Sequence, residues 1–237
     1  MARPELATSL TGSPRAPETP VALRDSPSTL SGALRALSRH ASPRILVALA
    51  SAALAARVAV GDFSGGDLVV VAAVVALWPL QEWLIHVLIL HYRPRTLAGR
   101  TLDFAVPKKH RAHHRDPWNL EILLIPTQAY LYSPLLLAAL AWLATPDLPR
   151  MLTALAAYFP LALRYEATHF LIHTAYVPRR ALYRSLHRNH LLHHFKNEHY
   201  WFGVSMLGAD HLLGTAKDPE RVATSTTVRT LGMGGAG

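Results

Sequence analysis

Fourteen histidines occur in 237 residues, and ten of them fall into four spaced clusters. These are His86 with His91, His110 with His113 and His114, His169 with His173, and His190 with His193 and His194. Ten imidazoles exceed what one closed zinc site needs, so the number suits two metal ions. Imidazole suits iron, zinc, copper and nickel, and a redox metal with open positions can reduce oxygen and attack an unactivated C–H bond. Residues three and four apart on a helix share a face. The trio at 110, 113 and 114 is therefore expected to project together, as is the trio at 190, 193 and 194. His169 and His173 stand one turn apart. His86 and His91 would lie about 140° apart on an ideal helix; either they address different metals, or the helix changes its winding after His86.

Neighbouring residues suggest support for these ligands. Glu82 lies one turn before His86 and Glu166 close before His169, where each could accept a ligand's second N–H. Glu166 could equally be neutralising Arg164. His187 extends the face of His190 and His194 as a spare ligand or a partner to one, and Asn197 could orient a ligand. No side chain is expected to act as nucleophile or general base.

The elements that position these residues are long apolar stretches at 45–60, 68–90, 120–143 and 151–172. A helix needs about 20 apolar residues to cross a bilayer. By that measure three stretches are strong and 45–60, short and interrupted by Arg57, is the weakest. Lys and Arg number six before residue 45, seven in 92–119 and five in 177–196, against none in GDFSGGD and one in TPDLPR. Cationic loops stay cytoplasmic. The expectation is therefore an all-α integral membrane protein with four transmembrane helices, both termini in the cytoplasm and a histidine-rich helical cap on that side. Hydrophobic residues at 51% and charged ones at 16% agree with a membrane class. The net charge of +9 then reports topology, and no nucleic-acid motif accompanies it.

Residues 1–43 read as a disordered basic arm, 44–217 as the membrane domain carrying the metals, and 218–237 as a flexible tail. The chain has no cysteine, which removes disulfides, iron–sulfur clusters and thiol nucleophiles. There is no His-Glu pair, so the H-E-x-x-H zinc protease motif is absent.

The segments EWLIHVLILH, HRAHH, EATHFLIH and HLLHHFKNEHYWFGVS, with ADHLLGT after them, resemble the fatty acid hydroxylase superfamily, which also includes sterol desaturases. The similarity runs over roughly residues 68–217 and is strongest to the fatty acid 2-hydroxylase branch. It implies a four-helix bundle under a cytoplasmic cap and oxygen-dependent hydroxylation of a lipid at two irons. The lipid could be a fatty acyl chain, a sphingolipid, a sterol or a carotenoid. The ten histidines carry over as ligands, without assignment to one ion or the other, and zinc could replace iron after purification. Val87 stands where the family often has arginine. Residues 1–40 hold no haem-binding domain of the kind some relatives carry, so electrons are expected from a separate protein. The rival readings are a membrane acyl or sterol desaturase and, in another class, a metal transporter or sensor. Transport would want ligands near the bilayer midplane, whereas these gather at one face.

Overall fold

The computed structural model describes residues 25–233. It is a helical protein with one small two-stranded sheet: α1 (Leu30–Leu37), α2 (Ala41–Val60), α3 (Gly65–Ile85, prolonged by a π-helical turn, His86–Leu90), β1 (Arg95–Leu97), β2 (Arg100–Leu102), α4 (Ala105–Arg115), α5 (Ser133–Ala144), α6 (Leu148–Ile172), α7 (Ala181–Phe195) and α8 (Gly208–Leu212). Helices α2, α3 and α5 all pack along α6. Leu46, Ala53, Trp78, Phe159 and Ala162 bury between α2, α3 and α6, and a second cluster joins Leu37, Leu123, Leu124 and Phe170 nearer the cap.

Among the described residues two helices are long and apolar enough to cross a membrane, Ala41–Val60 and Gly65–Leu90, and a third joins them if the pair Leu120–Leu131 and Ser133–Ala144 counts as one span. That pair is bent by 64°, because Pro126 and Pro134 interrupt the helical hydrogen-bond ladder. Their outer surfaces are apolar: Leu68 is 75% exposed and Leu143 78%, as expected of side chains that face lipid rather than water. Helix α6 has 25 residues, ample for a span, but Arg164 and Glu166 make it too polar to join the other two on composition.

The ranking of the stretches therefore changes. The stretch that was weakest in sequence is one of the two clearest, because its helix starts at Ala41 and reaches 20 residues; the interruption at Arg57 is met by partners inside the protein. Its guanidinium is 2% exposed. It donates to Asp67 Oδ1 at 2.8 Å, to Thr153 Oγ1 at 2.7 Å and to the Gly61 carbonyl. Asp67 in turn accepts from Ser64 N at 2.7 Å, closing the first turn of α3. One buried pair thus ties α2, α3 and α6 at the end remote from the histidines. Removing one partner of such a pair strands a charge, whereas replacing both with apolar residues is often tolerated. Asp67→Ala is expected to lower the melting temperature in detergent, and Arg57→Met with Asp67→Val to recover part of the loss. A double variant melting below the single one would contradict this.

The two termini also differ from expectation where they are described. Within the expected arm, residues 1–24 lie outside the described residues, but Leu30–Leu37 is helical. Thr29 Oγ1 accepts from Gly32 N at 3.1 Å as its N-cap, and Ala33 and Leu37 are buried. At the other end residues 234–237 lie outside, while Val222, Val228 and Leu231 of the expected tail are buried. Apolar side chains placed every few residues let both segments bury against the domain.

Candidate metal centre

The ten clustered histidines converge into two groups of five. One holds His86, His91, His110, His114 and His193; the other holds His113, His169, His173, His190 and His194. In each group one ring nitrogen per residue lies within 4.8 Å of all the others. Nine of the ten rings are buried, and His91 is half-buried.

The division follows from helix geometry. On α4, His110 and His114 point to one group while His113 fans to the other; on α7, His190 and His194 share a group while His193 crosses over. Neighbours on a helix diverge by about 100°, so a pair four apart and the residue between them straddle two targets. The trios therefore do not project together as expected. Each helix splits its three histidines two and one, in opposite senses. His86 and His91 belong to one group, and the winding change explains how. His91 N donates to His86 O at 3.1 Å, a bond spanning five residues, and this wider turn brings His91 back over His86. Such π-turns cluster at functional sites.

Three rings, all in the group of His86, are oriented by backbone carbonyls. His86 Nδ1 lies 2.6 Å from Phe202 O, His193 Nδ1 2.8 Å from Tyr200 O, and His114 Nδ1 3.0 Å from Val228 O. Each carbonyl can only accept, so the proton sits on Nδ1 and the Nε2 lone pair faces the group. His86 Nε2 and His173 Nε2 are buried with no hydrogen-bond partner. Elsewhere Nε2 atoms face one another: His91 and His193 at 3.2 Å, His110 and His114 at 3.2 Å, His113 and His169 at 3.2 Å, and His190 and His194 at 3.1 Å. With metal–imidazole bonds of about 2.1 Å, a 3.2 Å separation corresponds to an angle of about 100° at a shared ion. Paired donors and an orphaned buried nitrogen in each group, with fixed tautomers in the first, fit a metal in each.

Burial, and repulsion among the rings, holds His110, His113, His190, His193 and His194 well below the usual histidine range, and burial takes His114 down to about 3. The sign follows directly. Below the ordinary value of 6.5 the unfolded chain takes up protons that the folded one refuses, so stability falls with pH. Metal-free protein is expected to keep its full stability above pH 6.5 and to lose it steadily on acidification. A flat melting temperature between pH 7 and pH 4 would contradict this.

None of the four supporting residues named from sequence bonds a clustered histidine. Glu82 accepts from Trp78 Nε1 at 3.0 Å, Ser205 Oγ at 2.6 Å, Ser205 N at 2.7 Å and Val204 N. Glu166 Oε1 accepts from Ser42 Oγ at 2.6 Å and Ile125 N at 2.8 Å rather than pairing with Arg164, whose guanidinium donates to Ser205 O at 2.9 Å. His187 is half-buried against the Tyr183 ring. Asn197 donates to Ala223 O at 3.1 Å.

The sequence reading missed the turn at 200–205, whose carbonyls hold His193 and His86. Trp201 has a φ of 56° there and is 1% exposed. A bulky residue persists in that conformation only when its surroundings over-determine it. Here Trp201 N donates to Thr215 O at 3.1 Å and Nε1 to Lys217 O at 2.9 Å. Asp210 accepts from Phe202 N at 2.9 Å and Gly203 N at 2.7 Å. A Cβ at Gly203 would sit 2.8 Å from Asp210 Oδ2, so only glycine lets the carboxylate close. The signal in the sequence was the ADHLLGT segment, whose aspartate and threonine brace this turn.

A small cavity of about 50 Å³ touches His110 of one group and His169 of the other. Leu90, Val106, Lys109, Tyr165, Glu166 and the 122–126 segment complete its wall, which is apolar apart from Lys109 and Glu166.

Two adjoining five-histidine groups, set among long apolar helices, could each hold a metal ion. The sequence model of the fatty acid hydroxylase family matches residues 71–215, and the chain belongs to that family. It is 26% identical over 148 residues to dihydroceramide fatty acyl 2-hydroxylase FAH2 of Arabidopsis thaliana, covering 62% of this chain and 60% of that one. To the FAH1 enzyme of the same name and plant it is 29% identical over 144 residues, covering 59% of this chain and 56% of that protein. The chain thus spans less than two thirds of either relative. The fold is similar to that of the structure described as full length Scs7p, only its hydroxylase domain visible: the TM-score is 0.61 at 21% identity, over 84% of this chain and 71% of that one.

Proposed function

We propose that this protein hydroxylates an acyl chain of a membrane lipid, using two irons held by the two histidine groups. The partition of ten imidazoles, nine of them buried, into two interleaved sets of five carries the reading. His86, His91, His110, His114 and His193 would hold one ion; His113, His169, His173, His190 and His194 the other. Bound iron would supply the oxygen reduction and hydrogen removal that no side chain can perform. The substrate is read as a fatty acyl group of a sphingolipid-type lipid, attacked near its carbonyl end, as the names of the two plant relatives suggest.

The balance is one C–H bond, one O2, two electrons and two protons giving an alcohol and one water. The electrons are read as coming from a separate reductant protein. The chain's own residues do the rest. Carbonyls of Tyr200, Phe202 and Val228 fix the tautomers of His193, His86 and His114, burial keeps the imidazoles unprotonated, and the apolar residues of the cavity wall would keep water from the reacting carbon. Zinc in purified protein would be compatible with this reading, because histidine sites bind zinc more tightly than ferrous iron.

We read four helices as spanning the bilayer, α6 and the bent Leu120–Ala144 region included, with both termini and the metal centre cytoplasmic. Three segments rich in Lys and Arg on one side support this orientation.

The test compares lipid extracts, by mass spectrometry, of cells producing the wild type and a variant with His113→Ala and His193→Ala. A lipid gaining one oxygen only with the wild type supports hydroxylation and identifies the substrate class. A lipid losing two hydrogens instead makes the protein a desaturase. Identical lipids, with both proteins in the membrane and iron and a reductant partner present, would overturn the reading in favour of metal handling.

A further inference from the structure

The antiparallel hairpin β1–β2 is exposed on both faces. Arg95 pairs with Leu102, Thr96 with Thr101 and Leu97 with Arg100, and every strand residue is exposed. Side chains two apart on a strand share a face. One face therefore carries Arg95, Leu97, Arg100 and Leu102, and the other carries the two threonines. A lone two-stranded ribbon is marginally stable in water, yet this one rests neither face on the protein. Its turn is built to form, with Ala98 at φ 49° and Gly99 at φ 74°, the left-handed pair that matches strand twist.

The hairpin is also gripped at both ends. Arg111, buried on α4 beside His110, donates to Tyr92 O at 2.9 Å and to Asp103 Oδ1 at 2.5 Å. Tyr92 and Phe104 rings pack at 5.4 Å. The ribbon leaves the membrane-length helix only five residues after Leu90, and no acidic residue occurs from 92 to 102. Leu97 is 68% exposed and Phe104 57%.

We propose that the Arg–Leu face of this hairpin docks on an anionic phospholipid surface. This rests on reading Gly65–Leu90 as a membrane span. Leu97 and Leu102 enter the acyl boundary, while the Arg95 and Arg100 stems lie along it and carry their guanidiniums to phosphate oxygens. The neighbourhood gives the contact a purpose. Leu90 and Val106, which flank the hairpin in sequence, both line the cavity between the histidine groups. A hairpin lying on the lipid surface holds that cavity at the depth from which an acyl chain enters.

The cysteine-free chain permits a clean test. Single Leu97→Cys, Thr96→Cys and Leu77→Cys variants of the full chain are labelled with an environment-sensitive fluorophore in bilayers containing phosphatidylglycerol. Brominated lipid is expected to quench most of the Leu97→Cys fluorescence while iodide in the water leaves it unchanged, with the reverse at Thr96→Cys. Adding Arg95→Glu and Arg100→Glu is expected to abolish most of the lipid quenching. Equal access of iodide to both hairpin probes overturns the proposal. So does protection of the Leu97→Cys probe from both quenchers, which would mean that protein covers this face. Quenching that survives the charge reversal overturns the phosphate contact. Leu77, exposed in the middle of α3, separates the two failures. If lipid quenches its probe but not that at Leu97→Cys, only the hairpin inference falls; if lipid quenches neither, the span reading falls and takes the hairpin with it.

Discussion

Two neighbouring substitutions on α7 are expected to empty different metal positions. Protein with His193→Ala should lose the ion held with His86, His91, His110 and His114, and protein with His194→Ala the ion held with His113, His169, His173 and His190. Elemental analysis of purified protein should then give about one metal per chain in each variant against about two in the wild type, from the five-ligand count in each group. Lipid product formation should fall by more than about 100-fold in both, because even a group that only orients a ligand is worth 10- to 100-fold. A spectroscopic marker of the surviving ion distinguishes the variants from each other. His187→Ala provides the contrast: its ring stands outside both groups, so metal content should stay at the wild-type level. Equal metal content in all three variants would sink the assignment of ligands.

The second large effect concerns Glu82, which touches no ligand. Its carboxylate collects donors from Trp78 and from Val204 and Ser205 of the turn whose Phe202 carbonyl orients His86. Four donors, three of them N–H groups, converge on its two oxygens. Glu82→Ala strands buried N–H groups, at a cost of about 4 kcal/mol, since an unmet buried donor costs 1–3 kcal/mol. For a chain of this size that is about 10 °C of melting temperature. Glu82→Gln keeps the volume but turns donors toward donors, so it should recover little. The informative readout is the metal near His86: the variant should bind it more weakly while the ion near His169 holds. A variant that melts like the wild type would show that the turn stands without its carboxylate.

The ten histidines were legible because ligand chemistry leaves a local mark. Imidazoles three to five residues apart beside apolar runs are a pattern of types and spacings, and all ten converge. The partners that orient them left almost none. Backbone carbonyls belong to every residue, so nothing in the types of Tyr200, Phe202 or Val228 singles them out. The acids did attract attention, but for the wrong bond. Glu82 and Glu166 sit at helical spacing before ligands, yet their carboxylates turn to backbone and hydroxyl donors on other segments, Val204 and Ser205 for one and Ser42 and Ile125 for the other.

Residue type and period alone picked out the ten histidines that converge and the apolar elements that carry them. Which five meet was settled in three dimensions. Spacing along a helix gives the angle between side chains but not where the neighbouring helices stand, and it was the approach of α4 to α7 that split each trio. The same holds for Arg57, a blemish on an apolar stretch until Asp67 and Thr153 come from two other helices to meet it. A charge is costly or well placed according to what folds against it, and that partner lies up to 96 residues away in the chain.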